Sequence, residues 1–282
     1  MKILIKIIKT ILLISLTIMI SLLIFTNLAT STILNKYYAI ENFEKADYYA
    51  KIKEEIKSNF ENYISQSGFD ENIMNDIVSD EKIKNDTETI ISNIYDGTDV
   101  SIDTTEIEEK LRSNIENSLG KNTLNVTQKN AINQYVETIC NQYKKSMSHT
   151  NYEKNINNII SKLQKYSNIA KKGTLIATSV LIILIIISNY KNILKGISQI
   201  GISIMSSGLL YIIANLFIHS KIKISNLLIL NTAASDVLKL IANNILDIIL
   251  KDGIILLVIG TIMILISNLI IGKKESKEKD NK

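Results

Sequence analysis

Four stretches of this chain run for 18 residues or more without a charged side chain, and they constrain the fold more than any other feature. Thr10–Leu28 is 19 residues long, Gly173–Tyr190 is 18, Gly196–Ile218 is 23 and Gly253–Gly272 is 20. Each matches the roughly 20 residues with which a helix crosses the ~30 Å hydrocarbon core of a bilayer. A core helix of a soluble protein carries an apolar stripe, whereas these segments are apolar all round. Composition agrees: 46% hydrophobic and 21% charged residues is a mixture that one soluble domain rarely shows, so the two kinds must be segregated along the chain.

The first span has two readings. Lys2, Lys6 and Lys9 before it and the small residues Ala29–Ser31 after it fit a cleaved signal peptide, but the apolar run exceeds the usual length of one. It is read here as an uncleaved anchor within residues 1–34. Lysines in short segments beside a span are retained on the cytoplasmic side. Lys2, Lys6 and Lys9, then Lys191 and Lys195 in the short break "SNYKNILKG", then the five lysines of the tail "KKESKEKDNK" therefore mark the inside. Lys162, Lys165, Lys171 and Lys172 count against this, but they adjoin a long segment, where charge has less influence. The expected topology is a multi-pass cell-membrane protein with both termini cytoplasmic and residues 35–170 outside.

Residues 36–170 carry 16 Lys or Arg against 22 Asp or Glu, a net charge of −6, which argues against a nucleic-acid surface. The one cysteine, Cys140, permits no disulfide within the chain. The pattern is helical. Ile52, Ile56, Phe60 and Tyr63 make a stripe ending at "SQSG", with Gly68 as a left-handed cap and the anchor continuing into this helix. Ile83, Thr87, Ile90, Ile91 and Ile94 make a second stripe, closed by Gly97. Asp103 and Glu106 have capping-box spacing ahead of Ile107, Leu111, Ile115 and Leu119, a run ended by Gly120. Thr127 is the expected cap of a helix whose inner face is Ile132, Val136, Ile139, Tyr143 and Met147. Ile156, Ile159, Ile160 and Leu163 lead on towards the second span, and "TDVSID" and "NTLNVT" could pair as a short β-ribbon. With no proline in the chain, long helices meet no obstacle.

The fold expected is all-α: four transmembrane helices, with an extracytoplasmic helical bundle and a short β-ribbon inserted between the first and second spans. The membrane domain, residues 171–282, holds spans at about 173–190, 196–218 and 253–272. Its segment 221–252 is amphipathic, with Val237, Leu238, Ile241, Ile245, Ile248 and Ile249 on one side and Lys239, Asn243, Asp247 and Lys251 on the other. It is expected as a helix of its own, either lying in the outer interface or, in preference, packing under the outer domain.

Chemistry-bearing groups are sparse. Asp96, Asp99 and Asp103 supply hard oxygen ligands but lack the spacing of a calcium loop. No metal or proton-relay role is expected of His149 and His219, the two histidines, and Cys140 sits on an apolar helix face as an inert thiol. There is no phosphate loop, HExxH, GxSxG or CxxC pattern. No catalytic residue, cofactor site or metal site is expected. The spans lack the buried charges that mark ion pathways. In the third span, Gly196, Ser203, Ser207 and Ala214 fall on one line, with Gln199 and Ser206 beside it, a small-residue face for close helix packing.

These features point to a non-enzymatic bacterial membrane protein whose outer domain binds a protein partner or ligand in the envelope, with homo-oligomer formation a further use of the small-residue face. Two other classes compete. An oligomeric transport or channel component would use the outer domain as a gate or accessory subunit, and an envelope enzyme would use carboxylates such as Asp96 and Asp99 with a bound metal.

Overall fold

The computed structural model describes residues 2–119, 125–148, 150–221, 224 and 232–280. Among these the chain is all-helical, with no strand. Four helices are long and apolar enough to cross a membrane, within Ile5–Ser31, Asn155–Ser188, Ile193–Lys221 and Ala233–Lys274. The described residues divide into two compact units. An apolar unit is drawn from 1–33, 164–227 and 239–282, and a polar unit from 34–163 and 228–238.

In the polar unit, α2 (Lys36–Lys45), α3 (Tyr48–Ser67), the 3-10 turn η1 (Glu71–Met74), α4 (Asp80–Asp96), α5 (Thr105–Leu119) and α6 (Val126–Met147) pack as a bundle. α3 lies against α6 and α4, and α5 against α6 and η1. The core is built from the expected stripes: Ile52, Ile56, Phe60, Ile83, Ile107, Leu111, Ile115, Ile132, Val136, Ile139, Tyr143 and Met147 are all buried. Such side chains are worth about 1.5–3 kcal/mol each when fully removed from water. In α3 the stripe runs on to buried Ile64, while Tyr63 is only half-buried; in α5, Leu119 is exposed. Gly68 and Gly97 both take positive φ, 74° and 78°, at the ends of α3 and α4.

Several expectations need correction. The anchor helix α1 (Lys2–Ser31) does not run on into the polar unit: a turn follows it, Asn35 caps α2, and Asp47 at φ 53° separates α2 from α3. Asp103 is not half of a capping box. Its carboxylate accepts from the Thr105 N–H at 2.9 Å and the Thr105 hydroxyl at 2.6 Å, while Glu106 pairs with Lys110. Asn125 rather than Thr127 caps α6, in a reciprocal box with Gln128. The β-ribbon is not formed: 98–103 is irregular and Val126–Thr127 already belong to α6, with 122–124 outside the described residues, as are Gly120 and His149. In 98–103 the Thr98 and Asp103 carbonyls instead accept from the Asn157 and Lys82 side chains.

The apolar unit contains α1, most of α7 (Thr150–Ser188), α8 (Ile193–Lys221) and most of α9 (Thr232–Asp280). The amphipathic stretch expected as a separate helix is the first part of α9, which runs unbroken for 49 residues because nothing in it stops a helix. Its first turns belong to the polar unit, where Ala233, Ser235 and Val237 are buried and Asp236 meets Lys51 of α3 at 2.7 Å.

Candidate binding groove and helix interfaces

The polar unit has a concavity of about 430 Å³. One wall is α3, with buried Ile56, Phe60 and Ile64 at the floor and Lys53, Lys57 and Glu61 at the rim. The other is the segment 72–78 leading out of η1. This segment is fixed in place by side chains. Asn114 of α5 donates to the Ile73 and Asn75 carbonyls at 2.9 and 3.2 Å, Asn75 donates to Asn72, and Ile73 and Ile77 are buried. Asp76 sits at φ 58°, in the left-handed region, and is exposed on the same segment. Lys53 is held by Asp80 at 2.5 Å, whereas no ion pair forms at Lys57 or Glu61 among the described residues. The groove thus joins an apolar floor to amides and charges of both signs.

The unit is also tied by a partly buried polar cluster. Lys82 donates to both Asp86 oxygens at 2.6 and 2.7 Å and to the Asp103 carbonyl at 2.7 Å, linking α4 to the start of α5. The Tyr143 hydroxyl of α6 donates to Asp86 at 2.7 Å, and the Lys82 ammonium stands 5.8 Å from the Tyr143 ring centre. Burial, and then its bond to Asp86, push the Tyr143 phenol well above the usual tyrosine range. Removing one member of a fully buried charge pair costs about 3–5 kcal/mol, and with 12% of each side chain still exposed the Lys82–Asp86 pair is worth less than that, as a clamp between helices.

The three aspartates considered as ligands are not gathered. Asp96 pairs with Lys36 at 2.8 Å, Asp99 is exposed, and the Thr105 side chain and backbone hold the Asp103 carboxyl below its usual range. No group of three His, Cys, Asp or Glu forms a metal site among the described residues. Cys140 is buried, which pushes its thiol up and away from reactivity. His219 is exposed near the end of α8.

In the apolar unit, α8 is the central helix. Towards α1 it presents Ser203, Ser207 and Tyr211, whose hydroxyls lie 3.1, 2.9 and 2.8 Å from the carbonyls of Leu13, Thr17 and Ser21. The Ser207 hydroxyl also lies 2.9 Å from the Ser203 carbonyl, so its single proton serves both. Residues stepping by four on both helices meet at a constant offset of 190, so α1 and α8 run parallel. Gly196 is buried against α7, with Ile185 and Asn189 within 4 Å of where its Cβ would be. Ala214, expected on the same line, is exposed: contact follows the four-residue row through Tyr211 to buried Asn215, not the seven-residue row through Ala214. Gln199 accepts from Asn189 at 2.8 Å, and Ser206 is half-buried.

An adjoining face of α8 carries a second interface, which the sequence reading missed, and Tyr211 and Asn215 lie where the two faces meet. Gly201 faces Gly260, Gly208 faces Gly253, and Asn215 donates to the Leu246 carbonyl at 2.7 Å. Each pair of numbers sums to 461 and successive pairs are seven apart, so α8 and α9 run antiparallel in one register. A Cβ on Gly260 would lie 2.5 Å from the Met205 nitrogen and 2.6 Å from the Gly201 oxygen, so only glycine permits this approach. The available signal was a pair of glycines seven apart in each of two spans.

These features define the class of a multi-pass helical membrane protein carrying a folded helical polar domain. No protein-family model, no curated protein and no solved structure matches this chain.

Proposed function

We propose that this chain is a non-enzymatic integral membrane protein of the bacterial envelope, whose polar domain lies outside the cytoplasm and binds a protein partner while the four spans hold it at the membrane. The observation that carries this reading is the groove between α3 and residues 72–78, whose far wall is braced by Asn114 from a third element. Bracing lowers the ordering cost of association, and the mixture of apolar floor and polar rim resembles the core and rim of protein interfaces. The spans support an anchoring role, since hydroxyl-to-carbonyl bonds and glycine contacts bring α1, α8 and α9 close together. The carbonyls of Leu13, Thr17 and Ser21 are used by α8, which supports α1 as an uncleaved anchor.

Two measurements test the proposal in cells. In a Cys140→Ser background, Asp99→Cys should react with a membrane-impermeant maleimide in intact cells and Asn192→Cys only after lysis. A photo-crosslinking amino acid at Lys57 should then trap a protein adduct of discrete size, absent when the same group replaces Glu137 on the exposed side of α6. Inverted labelling would place the domain in the cytoplasm, and identical smears from positions 57 and 137 would remove the groove as the binding site.

A further inference from the structure

The apolar unit gathers cations at one end. Lys9 of α1 donates to Asn189 at 2.8 Å, and Asn189 donates to the Ile185 carbonyl and to Gln199, each at 2.8 Å, which orders the turn between α7 and α8. Beside this turn lies a pocket of about 440 Å³, into which α9 brings Ile271 and Lys274. Its polar lining is Tyr190, Lys191, Asn192 and Lys274, and its apolar wall is Ile193, Leu194 and Ile271. The Lys191 ammonium is held 5.7 Å from the Tyr190 ring centre. Asn192 accepts from the Lys195 N–H, so the pocket also adjoins the positive end of the α8 dipole. Residues 1–33, 164–221 and 253–274 contain no Asp or Glu, and the carboxylate nearest in sequence to the pocket's lining is Glu275, beside Lys274. No ion pair involves Lys191 or Lys274 among the described residues.

The geometry points to a binding site for the phosphate of an anionic phospholipid at this pocket, with Lys191 and Lys274 facing the phosphate, Tyr190 and Asn192 offering further hydrogen bonds, and the Ile and Leu wall meeting the start of the acyl chains. The location decides between a lipid and a free anion. The pocket lies where α7 ends, α8 begins and the uncharged stretch of α9 gives way to Lys273 and Lys274, which in a bilayer would be headgroup depth, and basic pockets between spans are recognised sites for such lipids. The inference rests on the helices crossing a bilayer and not on what the polar domain binds.

The test uses the full chain in phosphatidylcholine vesicles containing a photoactivatable phosphatidylglycerol, with cross-links mapped by mass spectrometry. Wild-type protein should label within residues 188–195 and 268–274. With each lysine near an anionic surface worth about 1 kcal/mol, close to fivefold, Lys191→Gln with Lys274→Gln should lower that yield by about tenfold after allowance for screening. Lys191→Arg with Lys274→Arg should retain it, which separates lost charge from lost fold. Lys171→Gln with Lys172→Gln, the same charge change elsewhere on α7, should leave it unchanged. The proposal is overturned by equal yields from the Gln pair and wild type, by an equal fall in the α7 control, by equal labelling with a phosphatidylcholine probe, or by displacement with millimolar inorganic phosphate.

Discussion

Replacing Gly208 by Ala tests the antiparallel interface between α8 and α9 at its tightest point on α8. A Cβ there would lie 2.6 Å from the Gly253 carbonyl oxygen and 2.7 Å from the Leu257 nitrogen. Ordinary contacts with carbon need about 3.4 Å or more, so the helices must part by roughly 0.8 Å. Both obstacles are backbone atoms, and no rotamer change relieves them. Overpacking of this kind costs about 1–3 kcal/mol. The parting also strains the Asn215–Leu246 bond, now 2.7 Å, which lies seven residues further along the same register. An interhelical bond in a membrane is worth about 0.6 kcal/mol on average and the better helix propensity of alanine offsets up to about 1 kcal/mol, so the net loss should be about 0.6–2.6 kcal/mol. Gly173→Ala is the control, because nothing lies within 4 Å of its Cβ. Alanine there should be neutral or stabilising by up to about 1 kcal/mol. Equilibrium unfolding of the full chain in mixed micelles, driven by sodium dodecyl sulfate, measures both. Gly208→Ala unfolding within about 0.5 kcal/mol of wild type, less than the smallest overpacking cost expected, would refute the glycine register.

The remaining predictions concern the polar unit. Because burial favours the neutral Tyr143 phenol, its contribution to stability is complete below the ordinary tyrosine pKa of about 10 and is lost as pH rises through the raised folded value. Thermal unfolding followed by near-UV circular dichroism between pH 7 and 11 should show falling stability above about pH 10. Tyr143→Phe should be less stable at pH 7, by roughly 1.5–3 kcal/mol for a bond to a charged group, and less sensitive to alkali. Tyr49, pushed up to about 12 by burial, leaves a residual slope, and equal slopes in variant and wild type would contradict the clamp. Gly68→Ala should cost about 1–2 kcal/mol although the site is open, because φ of 74° opposes any Cβ. Gly68→Asn should recover part of that loss, and an Ala variant as stable as wild type would show that the cap relaxes freely.

Much of this architecture is legible in the chain itself, because two strong physical demands write directly into residue order. A bilayer requires about 20 uncharged residues per helix, which marks the four spans, and a water-exposed bundle requires one apolar stripe per helix, which marks Ile52–Phe60, Ile83–Ile91, Ile107–Ile115 and Ile132–Met147. Caps were less legible where several capping residues adjoin: Asp103, Thr104 and Thr105 compete at one start and Asn125 and Thr127 at another, and the packed register of the helix selects among them. What only the tertiary structure decided depends on partners distant in sequence. Gly201 and Gly208 acquire meaning only opposite Gly260 and Gly253, and Lys51 finds Asp236 across 185 residues. Whether Ala214 or Tyr211 and Asn215 meets a neighbour depends on which row of α8 the other helices cross. A helix records in its own sequence which residues avoid water or lipid, but the identity, direction and register of its neighbour are properties of the pair, and no single segment contains them.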